Sequence, residues 1–446
     1  MPSTRRHFLK TTAATASALP AAAAAQGGRS ANDRIQFATI GLGIMGYGDT
    51  QTAVSVPGTK LAAVCDIYQG RLVRAQEVWG KDVFVTRDYR EVIARKDIDA
   101  VIIATPDHWH ARIAIDAMEA GKDVYIQKPM VQKVEEGMPL IDAARRTNRI
   151  VQVGSQRVSS AVYAKARELY LAGAIGELNM VEAWWDRNSS LGAWQYPIPP
   201  DASPQTVDWD RFLGHAPRRP FDAVRVFRWR NYQDYGTGVA GDLFVHLFSG
   251  LHFVLDSLGP SRVFAAGGLR YWKDGRDVPD VMVGLYDYEK AKSHPAFNLA
   301  LRVNFVNGAG ESSGFRFTGS EGILVIDRGV TLIQPPPERD PGTSAGAFDS
   351  ETQKKILAEH RKKYPPREAS TANMDAAREE RWLPPRGYSD QYEHHLNFFT
   401  AVRTRQPLVE DAVFGFRAAA PAVLSNTSYF GGKTVGWDPE KMAVKA

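Results

Sequence analysis

Apolar and polar positions in the first third of the chain fall into short runs separated by stretches of helical period. Positions 35–40, 61–65, 83–85, 100–104, 124–126 and 150–153 are apolar, β-branched runs too short for helices and predict buried strands. Spacings of three and four between them predict helices near 89–95, 108–120 and 134–147, with Gly121 stopping the second. Strand and helix in alternation predict a doubly wound parallel sheet, whose ligands sit at the carboxyl ends of its strands. After residue 155 the rhythm changes. A helix at 161–171 is followed by strand-like segments at 177–186, 263–269, 281–288, 299–306 and 314–317, which predict an α+β domain with a mostly antiparallel open sheet.

The expected organisation is a signal segment at 1–28, a dinucleotide-binding domain at 33–155 and a substrate-binding and oligomerisation domain at 156–446. Residues 335–387, rich in Pro, Lys, Arg and Glu, read as a surface insertion with one short helix near 351–361, and the C-terminal helices are expected to pack back. At 446 residues and 44% hydrophobic, the chain has the material for two or three packed domains. Of its net charge of +5, Arg5, Arg6 and Lys10 contribute three in an acid-free start, leaving +2 for the rest, so no nucleic-acid partner is implied. Cys65 is the only cysteine, which excludes an intramolecular disulfide and a cysteine-rich metal site. No metal is expected, because Asp242, His246 and His252 do not share one helical face.

Thr4-Arg5-Arg6-His7-Phe8-Leu9-Lys10 precedes an Ala/Thr stretch too short to anchor in a bilayer, and Ala21 to Ala25 offer a small-residue cleavage pattern. The twin arginines resemble a Tat export signal. That resemblance implies the Tat machinery as a partner, a periplasmic location and a soluble mature protein without a stable membrane anchor.

The strand at 35–40 runs into Gly41-Leu42-Gly43-Ile44-Met45-Gly46, a G-x-G-x-x-G turn opening a helix, and a second strand ends in Asp66, twenty residues after Gly46. Gly41 allows the tight turn, Gly43 lets the backbone approach a pyrophosphate, and Gly46 permits close helix packing. The helix N-terminus favours an anion there. Asp66 would accept from ribose hydroxyls, which favours NAD over NADP, although Arg71 and Arg74 keep the second open. Two further segments emerge at the carboxyl edge: Thr105-Pro106-Asp107-His108-Trp109-His110 and Gln127-Lys128-Pro129. His108 and His110 are read either as packing residues or as nicotinamide or substrate contacts.

In the second half, Asp242, His246 and Ser249 recur at i, i+4 and i+7 on an otherwise apolar helix from 236 to about 255. The stripe is either a structural pair or a proton acceptor, in which the carboxylate orients the imidazole that takes a hydroxyl proton. Trp184, Trp185, Trp194, Trp209 and Trp229, with Tyr196, Tyr232 and Tyr235, supply rings for stacking on a sugar or for a core.

Together the glycine fingerprint, the 105–110 segment, Ala120-Gly121-Lys122-Asp123-Val124-Tyr125 running to Lys128-Pro129, and Asp242-x-x-x-His246 resemble the glucose-fructose oxidoreductase, inositol dehydrogenase and MocA (Gfo/Idh/MocA) family from about 34 to 438. The resemblance implies an N-terminal Rossmann domain and a C-terminal antiparallel sheet, commonly assembled as a homo-oligomer, here a dimer or tetramer. It implies a cofactor site of Gly41, Leu42, Gly43, Ile44, Met45, Gly46, Asp66, Thr105, Pro106, His108, His110, Gln127 and Lys128. Lys128, Tyr235, Asp242 and His246 would meet the substrate, and Lys128, Asp242 and His246 would carry the chemistry.

The family's Glu-Lys-Pro motif reads Gln127-Lys128-Pro129 here. A carboxylate lost from about 4 Å beside an ammonium removes up to ~4 kcal/mol of attraction at an effective dielectric of 20 and biases the lysine towards neutrality. The implied function is nicotinamide-dependent oxidation of a carbohydrate or polyol carbinol. Export adds the expectation of a tightly bound NAD recycled in each turnover. The alternatives are a redox-type glycosidase or lyase working through transient oxidation, and a non-catalytic exported NAD- or sugar-binding protein.

Overall fold

The computed structural model describes residues 34–335, 343–363 and 378–445. The signal segment expected at 1–28 lies outside them. Six strands, β1 (Ile35–Ile40), β2 (Thr59–Cys65), β3 (Phe84–Thr86), β4 (Ala100–Ile103), β5 (Asp123–Ile126) and β6 (Val151–Val153), form an all-parallel sheet in the order β3-β2-β1-β4-β5-β6. Every residue of β4 and β5 is buried, as befits strands covered by helices on both faces. The order reverses beside β1, which opens a crevice between the carboxyl ends of β1 and β4. Helix Gln69–Trp79, which the sequence reading did not single out, follows β2 with only Leu72 and Ala75 buried.

The second sheet has ten strands. Their order is β14 (Arg378–Trp382), β13 (Val330–Gln334), β12 (Ile323–Ile326), β11 (Ser312–Gly319), β7 (Leu178–Asp186), β10 (Phe297–Asn304), β9 (Val281–Tyr288), β8 (Arg262–Gly268), β15 (Val435–Asp438) and β16 (Ala443–Val444). Only β7 and β10 pair in parallel. Alternation in β9 and β10 sends Met282, Tyr286, Leu299 and Leu301 inward. The outer face leaves Phe264, Val283 and Leu285 exposed. The segment at 335–387 contains the expected helix, Ser350–Lys363, but also returns to the sheet as edge strand β14, so it is only partly a surface excursion.

Helices Val245–Leu255 and Ala412–Gly431 cover the inner face. Ser428 Oγ accepts from Ala265 N (2.9 Å), and Tyr286 Oη lies 2.8 Å from Ser425 Oγ, which pins Ala412–Gly431 to β8 and β9. The same helix reaches β6, and Glu410 O just before it accepts from Val153 N (3.0 Å), so one element ties both sheets together.

Candidate active site

The glycine turn is dictated by sterics. Gly41 has φ +90°, and a Cβ there would meet Ala104 C, Ala104 O and Thr105 N at 2.7 Å. A Cβ on Gly46 would lie 1.9 Å from Gly41 O, where helix Ile44–Ser55 crosses the turn. Gly43 differs: its nearest neighbour would be the Arg71 guanidinium at 3.9 Å, so the protein itself leaves this position open for a ligand. The helix carries no acidic residue in its first turn and no side-chain cap, which keeps its N–H groups for an anion.

These features rim a cavity lined by Gly41, Gly43, Ile44, Met45, Asp66, Thr105 and Pro106 on one wall. Tyr196, Phe227, Trp229 and Arg230 line the other. The open glycine, the donor-rich helix start and the walled cavity fit a dinucleotide.

Asp66 is buried at the cavity edge. Its Oδ2 accepts from Leu42 N (2.7 Å), its Oδ1 from Tyr68 N (2.9 Å), and Arg71 Nη1 stands 3.3 Å away. The carboxylate is therefore rigidly placed, with a guanidinium beside it. Leu42 contributes its backbone to this hold rather than a cavity wall.

Lys128, at the end of β5, reaches across to the second half of the chain. Its Nζ donates to Asp242 Oδ1 (2.8 Å) and Asp242 O (2.9 Å). Arg230 Nε donates to the same Oδ1 (3.2 Å). Asp242 lies in a π-helical turn, Ala240–Phe244, that runs directly into helix Val245–Leu255. Burial alone would raise Asp242, but Lys128 and Arg230 outweigh it and hold the carboxyl well below the usual range. Burial lowers Lys128, against the opposing pull of Asp242.

The expected Asp242–His246 pair is not formed. The π turn breaks the i, i+4 register, and Asp242 is held by the two cations. His246 Nδ1 instead meets Ser155 O at 3.1 Å. A carbonyl partner fixes the proton on Nδ1 and leaves Nε2 as the basic nitrogen. Burial, with the Lys128 and Arg157 charges, holds the imidazole well below 6.5, so it is neutral and able to accept a proton. Trp185 lies against the ring at 5.0 Å between centroids.

Four other expected contacts take different places. His108 spans Tyr235 O (3.3 Å) and Phe212 O (2.8 Å), and His110 spans Pro129 O (2.7 Å) and Thr105 O (2.9 Å). Both are buried struts that lock the carboxyl-edge segments and do not line the cavity, so the packing reading holds for them. Tyr235 is fully buried against His108 and Phe212, which removes it from substrate contact. Gln127 Nε2 donates to buried Asp49 Oδ2 (2.7 Å), and its Oε1 accepts from Lys128 N (3.3 Å). Gln127 is thus a bridge rather than a cofactor contact. With Gln127 so engaged, the carboxylate beside Lys128 is that of Asp242, and burial still lowers the lysine below its ordinary value.

The sequence reading missed Arg230, Arg157 and Asp107. Asp107 Oδ2 accepts from Thr237 N (2.9 Å) and Thr237 Oγ1 (2.7 Å), and burial pushes its carboxyl up to about 7. Only the position of Asp107 inside an edge segment could have flagged it.

A parallel sheet with a glycine cradle, beside which helical segments of the second half place a charged cluster, defines a dinucleotide-binding protein. Residues 35–155 match the oxidoreductase family's NAD-binding Rossmann fold (GFO_IDH_MocA), and 190–265 match its C-terminal alpha/beta domain. Over these two stretches the chain is similar to the Gfo/Idh/MocA oxidoreductase family.

It is 33% identical over 172 residues to glycosyl hydrolase family 109 protein 1 of Shewanella sp. (strain ANA-3), covering 32% of this chain and 38% of that protein. It is 36% identical over 145 residues to scyllo-inositol 2-dehydrogenase (NAD(+)) of Bacillus subtilis, covering 32% and 42%. The chain thus spans about two fifths of the length of these relatives. The fold is similar to levoglucosan dehydrogenase in complex with NADH and levoglucosan, with TM-score 0.64 and 19% identity over 90% of this chain and 99% of that one.

Proposed function

We propose that the protein is a nicotinamide-dependent oxidoreductase that oxidises a carbinol carbon of a carbohydrate or polyol. The observation that carries this reading is Arg230, which lines the dinucleotide cavity and grips the same Asp242 oxygen as Lys128, so the cavity runs up to the charged cluster. A bound nicotinamide supplies the hydride acceptor. Lys128 orients the substrate hydroxyl by donating to its oxygen, Asp242 keeps Lys128 charged and in place, and His246 Nε2 takes the hydroxyl proton. The carbinol C–H electron pair leaves with the hydrogen and the carbon becomes a carbonyl. The names of the B. subtilis relative and of the levoglucosan complex support the polyol and sugar class.

The twin-arginine start supports export by the Tat route to the periplasm with NAD already bound and retained. A retained cofactor must return to its starting state. The name of the Shewanella relative favours a second reading that meets this condition. In it, transient oxidation acidifies the neighbouring C–H, the aglycone leaves by elimination, water adds to the resulting unsaturated ketone, and hydride returns to the carbonyl.

One experiment tests both. Protein from the exported fraction is denatured and its supernatant analysed for dinucleotide, and native protein is mixed with scyllo-inositol, levoglucosan and p-nitrophenyl glycosides. Bound NAD with nicotinamide reduction supports net oxidation, and released nitrophenol without net reduction supports the glycosidase. Folded protein that lacks dinucleotide and acts on none of the probes overturns the proposal.

A further inference from the structure

Behind His246 lies a buried carboxyl group that the reaction above does not use. Glu410 precedes helix Ala412–Gly431 and is 1% exposed. Its Oε1 is within hydrogen-bonding reach of Ser155 Oγ and lies 3.0 Å from Ser249 Oγ, and the two hydroxyl oxygens lie 2.6 Å apart. Three oxygens thus make three mutual contacts. Each contact needs one hydrogen, and the two serines supply only two. A proton on the carboxyl group supplies the third. The ring clamps both supports of the imidazole: Ser155, whose carbonyl holds His246 Nδ1, and Ser249, one turn further along the helix that carries His246.

We propose that Glu410 is held as a neutral carboxylic acid and serves, through Ser155 and Ser249, as the positioning residue for His246. Burial is the main influence on this carboxyl and pushes it up to about 8. The charged and titratable groups that act on it are Arg157, which pulls the other way, with Asp411 and Tyr125. Loss of the proton opens the ring and places an anion behind the imidazole. The proposal rests on the reading of His246 as proton acceptor only for its effect on turnover, since the ring can be tested without substrate.

The test uses the purified full chain. Infrared spectra between about pH 6 and about pH 10 should show a protonated-carboxyl carbonyl band that disappears in Glu410→Gln and titrates near pH 8 in the parent. The Glu410→Gln amide keeps the size of the side chain and places no anion behind the imidazole. It should therefore keep the parent's His246 ring resonance, assigned by its loss in His246→Gln. Glu410→Ala should shift that resonance and lower turnover at least about tenfold. In the parent, stability should fall as pH climbs from about 4.5 towards 8 and then level, because only the folded state holds the proton in that window, and Glu410→Gln should lose this component. If Glu410→Ala does not fold, the infrared and stability comparisons with Glu410→Gln still decide. Absence of the band, or a pH-dependent component that survives in Glu410→Gln, overturns the proposal. Absence of turnover with the band present would instead count against the oxidoreductase reading.

Discussion

Asp242 holds Lys128, not His246: its Oδ1 lies 2.8 Å from the lysine Nζ while the imidazole hangs from Ser155 O. The residue that would have oriented the base instead supplies the counter-charge that Gln127 cannot. This pair joins β5 to the π-helical turn across 114 residues of sequence, so it fixes the geometry between the two halves as well as the charge of the lysine.

Removing one member of such a pair strands a buried charge, which costs about 3–5 kcal/mol. Asp242→Asn should lower stability by that amount in denaturant unfolding, because Lys128 and Arg230 then face each other without an anion. The double variant Lys128→Met/Asp242→Asn should be more stable than Asp242→Asn alone. Equal instability of the two would show that the loss comes from packing around the π turn rather than from charge.

Lys128 and His246 are assigned to one proton transfer, and general-base removal typically costs 10²- to 10⁴-fold. His246→Ala and Lys128→Ala should each depress turnover on that scale while leaving dinucleotide bound. The double variant should be little worse than the poorer single one. Because burial and two nearby cations hold His246 well below 6.5, the acid limb of the parent's pH–rate profile should lie below that value. An acid limb above 6.5, or losses that multiply, would separate the two residues.

What was legible in the sequence is what local backbone chemistry encodes. Gly41, Gly43 and Gly46 announce their turn because no Cβ fits at two of them and open space faces the third. The strand runs report burial directly, since a strand covered on both faces must be apolar throughout. Partner choice over long distance was not legible. The i, i+4 spacing of Asp242 and His246 implies a pair only in a regular α-helix, and nothing in the residues around 240–244 advertises a π turn. His108 and His110 look like ligands in sequence, and they act as struts only because carbonyls of Tyr235, Phe212, Pro129 and Thr105 converge on them, the first two from more than a hundred residues away. Glu410 stands in a short loop with no motif around it.

Asp66 meets the cofactor question at one point. Its carboxylate repels a 2′-phosphate, whereas Arg71 beside it would attract one. Asp66→Ala should therefore narrow the preference for NAD over NADP in calorimetric titration of protein stripped of dinucleotide. Arg71→Ala should widen it. Because Asp66 also holds Leu42 N and Tyr68 N, Asp66→Ala should weaken both cofactors as well. Unchanged selectivity in both variants would mean that neither side chain meets the ribose.

Gln127→Glu restores the family's carboxylate, and the structure changes what should follow. The Gln127 amide donates to Asp49 Oδ2 at 2.7 Å, inside a site where Gln391 Nε2 occupies Oδ1 at 3.2 Å and His395 Nε2 stands 3.6 Å away. Burial already raises the Asp49 carboxyl above its ordinary value. A second carboxyl at this distance cannot be ionised alongside the first, so the pair should take up one proton on folding. A folded-state proton that the unfolded chain does not hold gives stability at low pH and loses it as pH rises through the pair's raised value. Gln127→Glu should thus match the parent's thermal midpoint in mild acid and fall progressively below it towards neutrality and beyond. Parallel midpoints across the whole range would show that the introduced carboxylate turns away from Asp49 towards Lys128, the arrangement the family motif implies. In that case the pH–rate profile, not the stability, should carry the change.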